Sequence, residues 1–155
     1  DSLSLDPENP GAWAMQISEL STLLDTRVDL DRFAENGSKL LLAHGLSDVL
    51  VSTRATQQYY LRLQSRMMPE KVDEFVRYYE VPGYGHAVSS DFNASWDSLT
   101  ALEKWVEEDE APEDQVVVDT IGVPGRSRPL CDYPQWPRYV GTGDINDAAS
   151  FECTN

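Results

Sequence analysis

Two stretches, KLLLAHG (Lys39–Gly45) and FVRYYEVPG (Phe75–Gly83), decide the fold. The first is a short continuous apolar run closed by a glycine and reads as a buried strand. The second is rich in aromatic and β-branched residues and stops at a Pro-Gly pair, as a strand does. Between them, STRATQQYYLRLQSRM offers a Ser/Thr cap and apolar positions at Ala55, Tyr59, Tyr60 and Leu63, the spacing of a helix packed on one side. Strand, helix, strand with about thirty residues between the strands is a right-handed parallel crossover. The fold class is therefore α/β.

The flanking segments extend this unit. Upstream, after turn chemistry in DPENPG, Trp13, Ile17, Leu20 and Leu24 recur at helical intervals. DLDRFAENG reads as a helical turn capped by Asp29 and ended by Asn36-Gly37. Downstream, SWDSLTALEKWVEEDEAP places Trp96, Leu99, Leu102, Trp105 and Val106 on one helical face and stops before Pro112. QVVVDTIG is one further strand, and the acidic EEDEAPED is a solvated helix end. Beyond Gly125 the density of Pro and Gly allows only an ordered tail without long regular elements. Residues 1–125 thus form the body of one domain and 126–155 a tail belonging to it. Trp13, Trp96 and Trp105 are expected in the core, whereas Trp136, next to a proline, is free to lie against another part of the protein.

Twelve basic against 27 acidic side chains in 155 residues give a formal charge of -15. That balance repels phosphate backbones and anionic lipid heads, so neither nucleic acid nor a membrane is an expected partner. No apolar run approaches the roughly 20 residues of a bilayer span, and the first residues have neither the basic start nor the apolar middle of a signal peptide. Cys131 and Cys153 lie in the tail with no histidine nearby to complete a zinc site, and read as a disulfide, the alternative being two buried thiols. A disulfide implies an oxidising compartment. The sequons at Asn36 (NGS) and Asn93 (NAS) point to glycosylation and, with it, secretion.

In an open parallel sheet, ligands and reacting groups gather beyond the carboxyl ends of the strands. Two loops lie there: HGLSDVLVS, carrying Asp48, and VPGYGHA, carrying His86. Side by side, they let a carboxylate hold an imidazole in one tautomer, which is how a general base activates a nucleophile. Asp48 precedes His86, the order in which α/β-hydrolases place acid and base after a nucleophilic serine. No G-x-S-x-G elbow occurs in the 155 residues, so that serine is expected upstream. His86 has a bland alternative as a surface turn residue. His44 reads as support packed beneath the Asp48 loop, and Ser47 as a turn residue too close to Asp48 to be its nucleophile. A metal held by His44, Asp48 and His86 is disfavoured, because i, i+4 ligand spacing serves a helix and this is a strand and loop.

Further segments carry a resemblance. SKLLLAHGLSDVLVSTRATQQYY, FVRYYEVPGYGH, LTALEKWVEEDEAPE and RPLCDYPQWPRYVGTGDINDAASFEC, led in by DLDRFAENG, resemble in this order the C-terminal end of the tannase and feruloyl esterase family. The resemblance implies the C-terminal part of a secreted serine carboxylic ester hydrolase of α/β-hydrolase fold, with the nucleophile half and a large lid outside these residues. It implies Asp48 as triad acid, His86 as general base and Cys131 and Cys153 as the tail's bridge. Phenolic acid esters are the implied substrates, and the nucleophile-bearing part of the same protein the implied partner. No cofactor is expected in this chain, since the calcium site of relatives belongs to the lid. One position departs: relatives place after the histidine a cysteine bridged to one beside the serine, whereas here stands Ala87, leaving His86 to be held by packing alone. The competing expectation is a non-catalytic fragment or secreted binding module that self-associates as a homodimer through its exposed sheet surface.

Overall fold

A computed structural model describes residue 6, residues 9–24 and residues 27–155. The opening turn residues at 1–5 and 7–8 lie outside the described residues. The expected crossover is present: β1 (Leu40–Gly45) pairs parallel to β2 (Val76–Val81), and α3 (Thr53–Met67) and the short α4 (Pro69–Asp73) connect them. α1 (Ala14–Leu24) and α2 (Asp31–Glu35) precede this unit, and α5 (Ser98–Glu108) follows it.

β2 is the buried strand of the pair. Val76 and Tyr78 point to one face, where Tyr60, Leu63 and Met67 of α3 meet Val72 and Phe75. Tyr79 and Val81 point to the other, against Phe92, Val117 and Leu130. This alternation is the period of two that a strand covered on both faces requires. Each fully buried Val or Leu here, such as Leu63 or Val72, contributes about 1.5–3 kcal/mol. β1, expected to be equally buried, is half-buried over Leu40–Leu42 and exposed at Ala43. The difference lies in their edges. β2 has β1 on one side and the tail on the other, where Asp132 bridges Tyr79 and the Tyr133 amide donates to the Tyr78 carbonyl at 2.8 Å.

Among the described residues, parallel pairing is confined to β1 and β2. β4 (Val116–Asp119), the strand expected from QVVVD, pairs antiparallel with β3 (Ala94–Ser95) and β5 (Ser127–Pro129), and β6 (Trp136–Tyr139) pairs antiparallel with β7 (Phe151–Thr154). The open parallel sheet expected from the crossover is thus corrected, among the described residues, to one parallel pair beside two antiparallel sheets. The connection from β4 to β5 shows why: it is too short for the dozen or more residues of a parallel crossover. The tail is ordered, as expected, and Cys131 and Cys153 are disulfide-bonded with Cα atoms 5.4 Å apart.

Three local expectations are also corrected. The N-cap of α2 is Leu30, without a side-chain bond, rather than Asp29, while Asn36-Gly37 does end the helix, with Gly37 at φ +72. α5 is capped by Asp97, which accepts from the Thr100 amide, and buries Ala101 and Trp105. Leu99 and Val106 point outward, so the buried face is rotated from the one expected. Trp96 stacks edge-on against Tyr79 at 5.3 Å, but Trp13 is 61% exposed and α1 buries none of its residues.

Asp119 ties the antiparallel strands to the loop that follows. Its side chain is fully buried and accepts from the amides of Asn93, Ile121, Gly122 and Val123 and from the Arg126 guanidinium. Burial alone would raise this carboxyl. The Val123, Asn93 and Ile121 amides and Arg126 outweigh it and hold the group well below the usual carboxylate range. Because the folded value is depressed, the contribution to stability is complete above the unfolded value of about 3.9 and is lost as pH falls through the folded one. Thermal unfolding followed by circular dichroism should therefore show the melting temperature dropping below about pH 4. Asp119→Asn should be less stable at neutral pH and lose less on acidification.

Candidate active site

The loops leaving β1 and β2 run side by side because backbone bonds join them. The Leu46 amide donates to Val81 O at 3.0 Å and the Ser47 amide to Tyr84 O at 2.9 Å. Ser47 is a turn residue, as expected. Gly45 permits the approach, since a Cβ there would overlap the backbone carbonyl of Tyr84. Gly45→Ala should displace the histidine loop and lower stability by about 1–3 kcal/mol. Its check is a melting curve, and a wild-type melting temperature would contradict this role for Gly45.

Asp48 and His86 are brought together. The Asp48 side chain is 5% exposed, and its Oδ2 lies 3.0 Å from His86 Nδ1. Its Oδ1 accepts from the amides of Leu50 at 2.8 Å and Val51 at 2.9 Å. The Val51 amide is the largest influence on this carboxyl. With His86 and the Leu50 amide it overcomes the opposing effect of burial and holds Asp48 far below the usual range. An ionised carboxylate only accepts, so the His86 nitrogen facing it carries a proton. The lone pair of the neutral ring is then on Nε2, on a side chain that is half exposed. Such a pair can take a proton at Nε2 while the carboxylate stabilises the imidazolium.

Position 87 does not leave His86 to packing alone. Tyr84 donates its hydroxyl to the Ala87 carbonyl at 2.9 Å, and Ser89 donates to the Gly83 carbonyl at 2.8 Å. With the inter-loop bonds, these fix the loop where relatives were expected to use a disulfide.

His44 lies against the same carboxylate, its Nε2 3.2 Å from Asp48 Oδ2. Among the described residues, no group of three or more His, Cys, Asp or Glu side chains is arranged to hold a metal ion. Beside Asp48 opens a groove of about 710 Å³ lined by Leu46, Val49, Leu50, Arg54, Gln57 and Leu61. Val49 is 92% exposed and Leu50 74%, an apolar surface that the strand and helix pattern did not reveal. Its residues sit in the irregular loop, where no periodicity marks a buried side.

A parallel pair with helices, and with a carboxylate and an imidazole meeting beyond its strand ends, has the form of an α/β-hydrolase-like protein. Residues 1–154 match the family model described as tannase and feruloyl esterase. The chain belongs to the tannase and feruloyl esterase family. It is 40% identical to an uncharacterized esterase of Agrobacterium fabrum over 99% of this chain and 28% of that protein. With mono(2-hydroxyethyl) terephthalate hydrolase of Piscinibacter sakaiensis it shares 42% identity, over 83% of this chain and 22% of the relative. Among solved structures, feruloyl esterase B from Aspergillus oryzae superimposes with a TM-score of 0.79 at 26% identity, covering 92% of this chain and 33% of that one. The chain thus spans between about a fifth and a third of the length of these relatives.

Proposed function

We propose that these residues are the C-terminal part of a serine carboxylic ester hydrolase and supply the acid and base of its Ser-His-Asp triad. The observation that carries the proposal is the contact of Asp48 Oδ2 with His86 Nδ1 at 3.0 Å, which leaves Nε2 free. The serine would come from a part of the protein preceding these residues, because none here stands in a G-x-S-x-G elbow. His86 Nε2 would take the serine proton as Oγ attacks the ester carbonyl, and would return it to the departing alcohol. A water would then release the acid from the acyl-enzyme by the same proton path. Phenolic or other aromatic carboxylic esters are the proposed substrates, in keeping with the feruloyl esterase and terephthalate ester hydrolase among the relatives. Residues 1–125 and 126–155 would belong to one catalytic domain. Val49 and Leu50 would lie under the nucleophile-bearing part, and a homodimer through this surface would form only where that part is missing.

The test is to treat the complete protein with a serine-directed phosphonate and locate the label by mass spectrometry, alongside assays on feruloyl and terephthaloyl monoesters. A label on a serine outside residues 1–155, with hydrolysis lost on blocking it, is expected. A label on a serine within these residues, or hydrolysis by the 155-residue chain alone that is abolished by changing His86, would overturn the proposal.

Secretion forms part of the same reading and is supported by the disulfide. Of the two sequons, Asn36 is exposed, whereas Asn93 donates to Thr120 Oγ1 at 2.7 Å and accepts from the Ser89 amide. A glycan would therefore sit at Asn36. Peptide mapping of the secreted protein with Asn36 unmodified would refute this.

A further inference from the structure

His44 is given no part in the chemistry above, yet both of its ring nitrogens are engaged. Its side chain is 12% exposed. Nε2 lies 3.2 Å from Asp48 Oδ2 and 3.2 Å from the Val51 carbonyl, and Nδ1 lies 2.7 Å from Thr56 Oγ1. An ionised carboxylate and a backbone carbonyl only accept, so Nε2 carries the proton and shares it between them. The lone pair of the neutral ring is then on Nδ1, where it accepts the Thr56 hydroxyl. Thr56 stands in the first turn of α3, a rigid element, and holds the His44 ring in place from there.

We propose that His44, locked by Thr56, is a positioning residue for Asp48, and the proposal rests on reading Asp48 and His86 as triad members. Two imidazoles meet one carboxylate oxygen, His86 from the half-exposed side and His44 from the strand beneath. The other oxygen is fixed by the Leu50 and Val51 amides. His44 thereby holds the 48–51 loop at two points, the Asp48 side chain and the Val51 carbonyl. Without it the carboxylate turns away from His86. A neutral imidazole lacking an aligned acceptor at Nδ1 prefers to carry its proton on Nε2, the form that cannot act as base there.

Nitrogen-15 spectra of the complete protein labelled at histidine, with the His44 and His86 signals assigned by their loss in His44→Leu and His86→Ala, read both tautomers at pH 8. The native protein should show His44 protonated on Nε2 and His86 on Nδ1. In His44→Leu and in Thr56→Val, His86 should move toward the Nε2–H form, whereas His44→Gln, which keeps an N–H donor, should retain more of the Nδ1–H form. In the complete protein, His44→Leu should lower kcat by about 10–100-fold with KM little changed, and His44→Gln should recover part of the loss. An unchanged His86 tautomer in both His44→Leu and Thr56→Val, or equal kcat losses in the Gln and Leu variants, would refute the proposal. If His44→Leu does not fold, Thr56→Val decides by the same tautomer readout. Should the triad reading itself be wrong, His86→Ala would leave hydrolysis unchanged, an outcome separate from the substrate-free tautomer measurement.

Discussion

Replacing His86 with alanine in the complete protein is expected to reduce kcat by on the order of 10⁵ to 10⁶, with KM little altered. The size follows from the unity of the constellation. In the proposed triad, an enzyme without an imidazole at Nε2 would have nothing to accept the serine proton, so the nucleophile would remain a neutral alcohol and the leaving group would gain no acid. Residual activity would come from binding and from whatever stabilises the oxyanion. Stability should change little, because His86 is half exposed and its loop is held by Ser47, Tyr84 and Ser89. Steady-state kinetics beside a melting curve checks both halves, and a loss of kcat below tenfold would remove His86 from the chemistry.

Asp48→Asn should cost about 10⁴ in kcat for a different reason. An amide has one oxygen where the carboxylate offers two, and Asp48 uses both: one for the Leu50 and Val51 amides, the other for two imidazoles. If the oxygen stays with the amides, an NH₂ faces two ring N–H groups, and His86 must reverse its tautomer to avoid the clash of donors. Burying the unmatched donors also destabilises the fold, so the melting temperature should drop in this variant and hold in His86→Ala. Full activity of Asp48→Asn at neutral pH would contradict the role.

The crossover and its loops were legible because their signals are local. A closing glycine after KLLLAH, a Pro-Gly stop after FVRYYEV and helical spacing between them place Asp48 and His86 at neighbouring strand ends. The second fixed point of the site, the bond from Thr56 to His44, was not legible. It depends on how α3 lies against β1, and Thr56 sits within a helix pattern whose apolar positions read only toward Tyr60 and Leu63. The antiparallel pairing of QVVVD with SRP likewise depends on the loop anchored by Asp119, whose many amide contacts leave no mark in composition. Trp13, Leu99 and Val106 stand at apolar intervals yet point outward, since periodicity identifies a stripe without stating what packs on it.

Asp132 and Tyr133, which lie against β2 as a rib, directly follow Cys131, and the bridge to Cys153 at the end of β7 fastens that rib to the tail. Thiol reagents should therefore be felt at a distance. Opening the bridge returns about 3 kcal/mol of chain entropy to the unfolded state for a loop of this length, and it frees the edge of the strand that leads into the histidine loop. Incubation with dithiothreitol should lower both melting temperature and esterase activity, and reoxidation should restore them together. The two cysteines thus couple the far end of the tail to the strand that carries the histidine loop.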